Sequence, residues 1–191
     1  MTASEILNKI KQEMGLTNYM LAKILNVSQS LIHYVISGKS NVAFNTMVTW
    51  ISELGYSIKG NKIEINQFKY VSSPFYLINL VNKQPYDGQW LDISVSINNI
   101  LQNSQFMTSN IFKINLSKMI INRKWKSFYC GVIEYLFQTM FKKTPPKWTN
   151  IKAFKLDEQW SPLENYANST DYDPIFSKYN ILIPIGELQC L

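Results

Sequence analysis

Leu16-Thr17-Asn18-Tyr19-Met20-Leu21-Ala22-Lys23-Ile24-Leu25-Asn26-Val27-Ser28-Gln29-Ser30-Leu31-Ile32-His33-Tyr34-Val35-Ile36 carries two short helical patterns separated by a polar break. Thr17 has a hydroxyl that can accept an orphan N–H at the head of a helix burying Leu21, Ala22 and Leu25. After Asn26-Val27, Ser28 is a second such cap, for a helix that runs to about Ile36 and stops at Ser37-Gly38. With Ile32, Val35 and Ile36 turned inward by the 3.6-residue period, Ser28, Gln29, Ser30, His33 and Tyr34 are left for solvent or a ligand.

The flanking sequence supplies the rest of a bundle. Upstream, Ile6, Leu7, Ile10 and Met14 recur at helical spacing behind Ser4 as N-cap, and Gly15 ends the run. Downstream, Phe44, Met47, Val48, Ile51 and Leu54 form one face of a fourth helix, with Gly55 after it. Tyr56-Ser57-Ile58-Lys59, Gly60-Asn61 and Lys62-Ile63-Glu64-Ile65 alternate about a turn signal and read as a β-hairpin. Two short helices joined by a tight turn inside such a bundle form the helix-turn-helix arrangement.

The run Leu16 to Ile32, followed by Ser37-Gly38-Lys39-Ser40, Asn45-Thr46-Met47 and Leu54-Gly55, resembles the lambda-repressor-like helix-turn-helix family of the Cro and xenobiotic-response-element type. The resemblance implies that the helix from Ser28 to Ile36 enters the DNA major groove by its N-terminal end. Gln29 then stands where the family commonly places a base-reading amide, which pairs with adenine N6 and N7. Tyr34 matches a recognition position. His33, the single histidine, either reaches a base or phosphate or stays a solvated bystander. Leu31 is open between a thymine methyl and packing. Asn18 occupies the place of a longer phosphate-binding amide, and Lys39, Ser40 and Asn41 follow as phosphate contacts. The resemblance further implies a homodimer on a near-palindromic operator in double-stranded DNA, with the hairpin capping the domain or serving the dimer.

Composition limits what else the chain can be. Its 191 residues, 46% hydrophobic and 17% charged, suit one or two folded units and argue against disorder. No run approaches a membrane span and no basic-then-apolar leader opens the chain, so the expectation is a cytoplasmic protein with no membrane partner. Cys130 and Cys190 lack C-x-x-C spacing, which disfavours zinc and a disulfide, and Cys130 is expected in the core. One histidine leaves little room for imidazole catalysis. No phosphate-cradle, zinc-protease or nucleophile-elbow motif occurs, so no enzyme, cofactor or catalytic residue is expected. Cys130-Gly131 resembles the bond cut by self-cleaving repressors, but it lies inside the strongest helical pattern. Asp171 and Asp173 alone read as a solvated loop, not as a metal site.

Residues 73–191 form a second expected unit after the helix-turn-helix domain of 1–66, the boundary falling at Val71-Ser72-Ser73-Pro74. Helical patterns span Phe75 to Val81, Gln89 to Leu101, Leu116 to Asn122 and Lys126 to Phe141. The last has Phe128, Tyr129, Val132, Ile133, Leu136, Phe137, Met140 and Phe141 on a wide apolar face. Polar breaks fall at Lys83 to Gly88 and near Asn103. Beyond Thr144-Pro145-Pro146 the chain reads as irregular, with one short strand over Asn180 to Ile185. Its large apolar residues (Phe154, Leu156, Trp160, Leu163, Ile175, Phe176) should wrap the helices. The fold class is therefore mainly α: a lambda-repressor-like bundle with a β-hairpin, then an α-rich part with an irregular wrapping tail.

Charge divides unevenly. Residues 1–66 carry a net +2, low for a DNA binder acting alone, whereas Lys113 to Lys155 carries +9 and the remaining tail −5. A basic centre beside an acidic tail means either a nucleic-acid or acidic-partner surface, or mutual neutralisation in the fold. The succession Phe128-Tyr129, Pro146-Lys147-Trp148, Leu156 to Trp160, Pro174-Ile175-Phe176 and Asn180 to Ile183 with Leu188 is similar to the C-terminal region of helix-turn-helix antitoxins encoded beside nucleotidyltransferase toxins. That resemblance implies an autoregulating repressor whose second unit binds a toxin. The alternative is a phage or mobile-element inhibitor (anti-defence) protein whose helix-turn-helix controls its own gene.

Overall fold

The computed structural model describes residues 2–59, 62–65, 73–83, 88–102, 112, 114–163 and 171–188. The Gly60-Asn61 turn, Val71-Ser72, Gln84 to Asp87, the polar stretch near Asn103, Lys113, Glu164 and Cys190 lie outside these residues. The chain is mainly α, with N-terminal helices, a two-stranded hairpin and further helices after it.

The first four helices are α1 (Ala3–Glu13), α2 (Asn18–Ile24), α3 (Gln29–Ile36) and α4 (Phe44–Glu53). Thr17 and Ser28 cap α2 and α3 as expected, accepting from the Met20 and Leu31 N–H groups at 3.2 and 3.1 Å. The cap of α1 is Thr2, not Ser4. Thr2 and Glu5 exchange bonds in a capping box, and Ser4 sits inside the helix, where its hydroxyl donates 2.5 Å to the Ile36 carbonyl. Helices α1, α2 and α3 each end in the same double bond pattern, closed by Gly15, Asn26 and Gly38 at φ +63°, +54° and +73°. The two glycines hold a left-handed backbone that a Cβ would strain.

Leu7, Ile10, Leu21, Ile32, Val35 and Ile51 meet in the core of this part. The expected face of α4 needs correction. Met47, Trp50 and Ile51 are its buried residues, whereas Phe44 is 73% and Val48 38% exposed. Trp50 is the largest side chain of α4, and the helix turns to bury it, which carries Phe44 and Val48 outward. Strands β1 (Tyr56–Lys59) and β2 (Lys62–Ile65) pair antiparallel, with Ile58 opposite Ile63. The Tyr56 hydroxyl donates to Glu13 at 2.9 Å, tying the hairpin to α1.

Beyond the hairpin stand α5 (Pro74–Asn82), α6 (Gln89–Gln102), α7 (Arg123–Tyr135), α8 (Ile151–Phe154) and α9 (Pro174–Ser177). Ser73 caps α5 and Pro74 opens it. The expected helix over Leu116 to Asn122 is a single 3₁₀ turn, Leu116–Met119, because Asn122 instead caps α7, accepting from Lys124 and Trp125. Every residue of α7 from Ser127 to Tyr135 is buried, so this stretch of the helix is enclosed on all sides, while its start at Arg123 and Lys124 is exposed. It passes into a wider turn, Leu136–Met140, in which the Phe141 N–H reaches back five residues to Leu136. That widening leaves Met140 42% exposed instead of in the core.

The tail wraps α7 as expected but contains no regular strand among the described residues. Isolated bridges join Trp160 to Ile181 and Tyr172 to Pro184, and Asn180 breaks the extended run at φ +60°. Backbone bonds from Leu156 to Tyr179, Trp160 to Asn180 and Leu182 to Trp160, at 2.8 to 3.1 Å, fasten the segment in place. Phe176 stacks on Phe128 with centroids 5.7 Å apart and reaches the place where a Cβ on Gly131 would stand, 2.8 Å from its ring. Behind it, the buried Glu134 carboxylate accepts from Tyr179 Oη at 2.7 Å, Lys178 Nζ at 2.9 Å and Gln138 Nε2 at 2.7 Å. The Cys130–Gly131 bond is helical and buried, as expected.

Candidate nucleic-acid interface

Helix α3 is a seated helix with one face left open. Ile32 and Val35 are fully buried, and Ser4 and Asn8 of α1 both donate to the Ile36 carbonyl, which fixes the C-terminal end. The opposite side carries Gln29, Ser30, His33 and Tyr34, all exposed, with Tyr34 at 50%. Ser28 is exposed too, its hydroxyl oxygen already accepting the Leu31 N–H. The His33 and Tyr34 rings lie 5.9 Å apart, tilted by 55°, so they form one aromatic edge. Leu31 and Ile36 are half-buried, Ile36 less deeply placed than its helical position suggests.

The chain leaves α3 in a fixed direction. The N–H groups of Lys39 and Ser40 both donate to the Tyr34 carbonyl, at 2.9 and 3.2 Å. Lys39 and Asn41 are exposed and Ser40 is half-buried. Lys39 makes no ion pair among the described residues, so its charge is available. Helix α4 then starts without a capping side chain, and Phe44, Asn45 and Thr46 at its head are exposed. Orphan N–H groups at such a helix start favour an anion.

Asn18 is placed differently from the others. It opens α2, is half-buried, and its Oδ1 is enclosed without a hydrogen-bond partner. An acceptor oxygen cannot hold a phosphate, so the amide Nδ2 is the group that would make the expected contact. Tyr19, 54% exposed, and Lys23, whose ammonium lies 5.6 Å from the Tyr19 ring centroid, also stand outward on α2. Their four-residue spacing is the signal in the sequence that would have found this cation–aromatic pair.

The chain matches no protein-family model, no curated protein and no solved structure.

Among the described residues, few ion pairs join the basic centre to the acidic tail. Arg123 pairs with Asp157 at 2.9 Å, while Lys118, Lys124, Lys126, Lys142, Lys143, Lys147, Lys152 and Lys155 make no ion pair among the described residues. The tail's own Lys178 spends its charge on Glu134. Among the described residues no cluster of His, Cys, Asp or Glu could hold a metal ion, and Asp173 is engaged as the cap of α9. Nor is any helix there long and apolar enough to cross a membrane.

Proposed function

We propose that this protein is a sequence-specific double-stranded-DNA-binding repressor of the lambda-repressor-like helix-turn-helix type, reading its operator with α3. The observation that carries the reading is the outward row Gln29, Ser30, His33 and Tyr34 on a helix anchored by Ile32 and Val35, followed at once by Lys39 to Asn41. Gln29 supplies bidentate pairing to adenine, Tyr34 combines apolar contact with a hydroxyl, and Lys39 with Ser40 and Asn41 fixes register on the phosphates. Two copies on a near-palindromic operator double the phosphate contacts that a single weakly basic N-terminal part lacks.

In this reading the part beyond the hairpin holds a protein partner, the toxin of an antitoxin pair whose operon the repressor controls. Leu91 and Val95, exposed one turn apart on α6, favour such a surface. The lysines between 118 and 155 that make no ion pair among the described residues favour the second reading, a mobile-element inhibitor that engages a nucleic-acid enzyme through this basic part.

The test is selection of bound duplexes from a random pool, then titration of the selected site with wild type and Gln29→Ala. The variant is expected to fold normally and to lose about 1–3 kcal/mol of affinity. Equal affinity of the two proteins refutes the recognition-helix assignment. Co-purification with the product of the neighbouring gene, before and after nuclease, separates the two partner readings: a stoichiometric protein that survives nuclease supports the antitoxin.

A further inference from the structure

We propose that the cleft between α2 and the segment from Ile114 to Trp148 binds a nucleoside phosphate, its phosphates on Lys23 and Lys118 and its base against Trp148 and Tyr19. The cleft measures about 700 Å³, within the range of small-ligand sites. One wall is the outer face of α2, with Tyr19, Met20 and Lys23, and the other brings Ile114, Lys118 and Trp148. Among the described residues no carboxylate lines it, so two ammonium groups share one recess with no counter-charge from those walls, which selects for an anionic occupant. Lys118 makes no ion pair among the described residues, and Lys23 is held over the Tyr19 ring and not against an acid.

The aromatic groups narrow the class of anion. Trp148 is stacked on Tyr129 with centroids 6.2 Å apart and planes 15° from parallel, and Tyr129 is fully buried. The indole is thereby a rigid wall of the cleft. Flat rings beside ammonium groups, with Met20 and Ile114 as an apolar ledge, suit a base joined to a phosphate better than a bare inorganic anion or an aliphatic acid. No residue of α3 lines the cleft, so the proposal does not rest on the DNA reading.

The experiment is calorimetric titration of the full chain with ADP, with adenosine and inorganic phosphate as half-ligands. Saturable binding of one ADP per chain, with a Kd below about 1 mM, is expected, and each half-ligand should bind more weakly. Lys118→Ala, on an exposed side chain, and Lys23→Ala should each weaken ADP about tenfold. Trp148→Phe, which keeps a ring over Tyr129, should weaken it severalfold while thermal unfolding stays cooperative. Absence of saturable binding overturns the proposal, as does ADP affinity unchanged in both lysine variants. A single-stranded oligothymidylate that binds more tightly than ADP with the same lysine dependence also overturns it, since the cleft would then be part of a strand-binding track.

Discussion

Removing the Glu134 side chain should loosen the grip of the tail on α7 by an amount that can be worked from its three donors. The carboxylate is buried, 4% exposed, and accepts from Tyr179, Lys178 and Gln138. Tyr179 keeps a second partner, the Thr149 carbonyl at 2.9 Å, so Glu134→Ala does not orphan its hydroxyl and the loss there is about 1.5 kcal/mol. The Lys178 ammonium is 41% exposed and regains water, which limits its share to about 0.5–1 kcal/mol. The Gln138 bond, one helical turn away, adds about 0.5 kcal/mol. The total is about 2.5–3 kcal/mol, against about 0.5–1 kcal/mol for Lys178→Ala, which leaves Glu134 with two donors. Urea unfolding followed by tryptophan fluorescence reads this directly. At an m-value of about 2 kcal/mol/M, Glu134→Ala should lower the midpoint by about 1.5 M and Lys178→Ala by about 0.5 M. Equal shifts for the two variants would refute the argument, because they would make the exposed ammonium and not the buried carboxylate the organising group.

Gly131→Ala gains about 1 kcal/mol in helix propensity but drives a methyl into the Phe176 ring, which is buried against Phe128 and Tyr135. The net expectation is a lower melting temperature, and Gly131→Val should lower it further. Burial pushes the Cys130 thiol from 9.0 up to about 12, outweighing the lowering by Lys126 and Ser117, and burial raises Tyr129 and Tyr179 as well. The unfolded chain ionises first, so this stability is full below pH 9.0 and drains as pH climbs toward about 12; urea midpoints should fall there, less steeply in Cys130→Ala. Thr2→Ala removes the cap of α1 and should cost about 1 kcal/mol by the same urea assay, while Thr2→Ser should restore most of it.

What could be read in advance follows the range of the forces involved. Caps act within three residues, so Thr17, Ser28 and Ser73 were legible, and the Thr2-x-x-Glu5 box was equally present in the sequence although Ser4 two positions later competed for the role. Faces of short helices are less determined. On α4, Phe44 and Val48 fit the helical period as well as Trp50 does, and only its packing against β1 and the shared core decides between them. The wide turn after Tyr135 and the left-handed Asn180 answer to distant partners, so no local pattern announces them. At the candidate interface, the outward placement of Gln29, Ser30, His33 and Tyr34 followed from the burial of Ile32 and Val35. The cleft walled by Lys23 and Lys118 joins segments far apart in the chain and leaves no sequence signature.

The enclosure of α7 has a consequence for synthesis. Its cover arrives late: Tyr179 lies 45 residues after Glu134, and at ribosomal speeds of about 5–20 residues per second that gap lasts about 2–9 s. During that interval the nascent chain presents Phe128, Tyr129 and Tyr135 with no Phe176 or Ile181 to shield them. Production of this protein in a cell thus depends on how that window is guarded. Substitutions around residues 174–183 should first reduce yield through aggregation and chaperone capture, before any change is seen in what the mature protein binds.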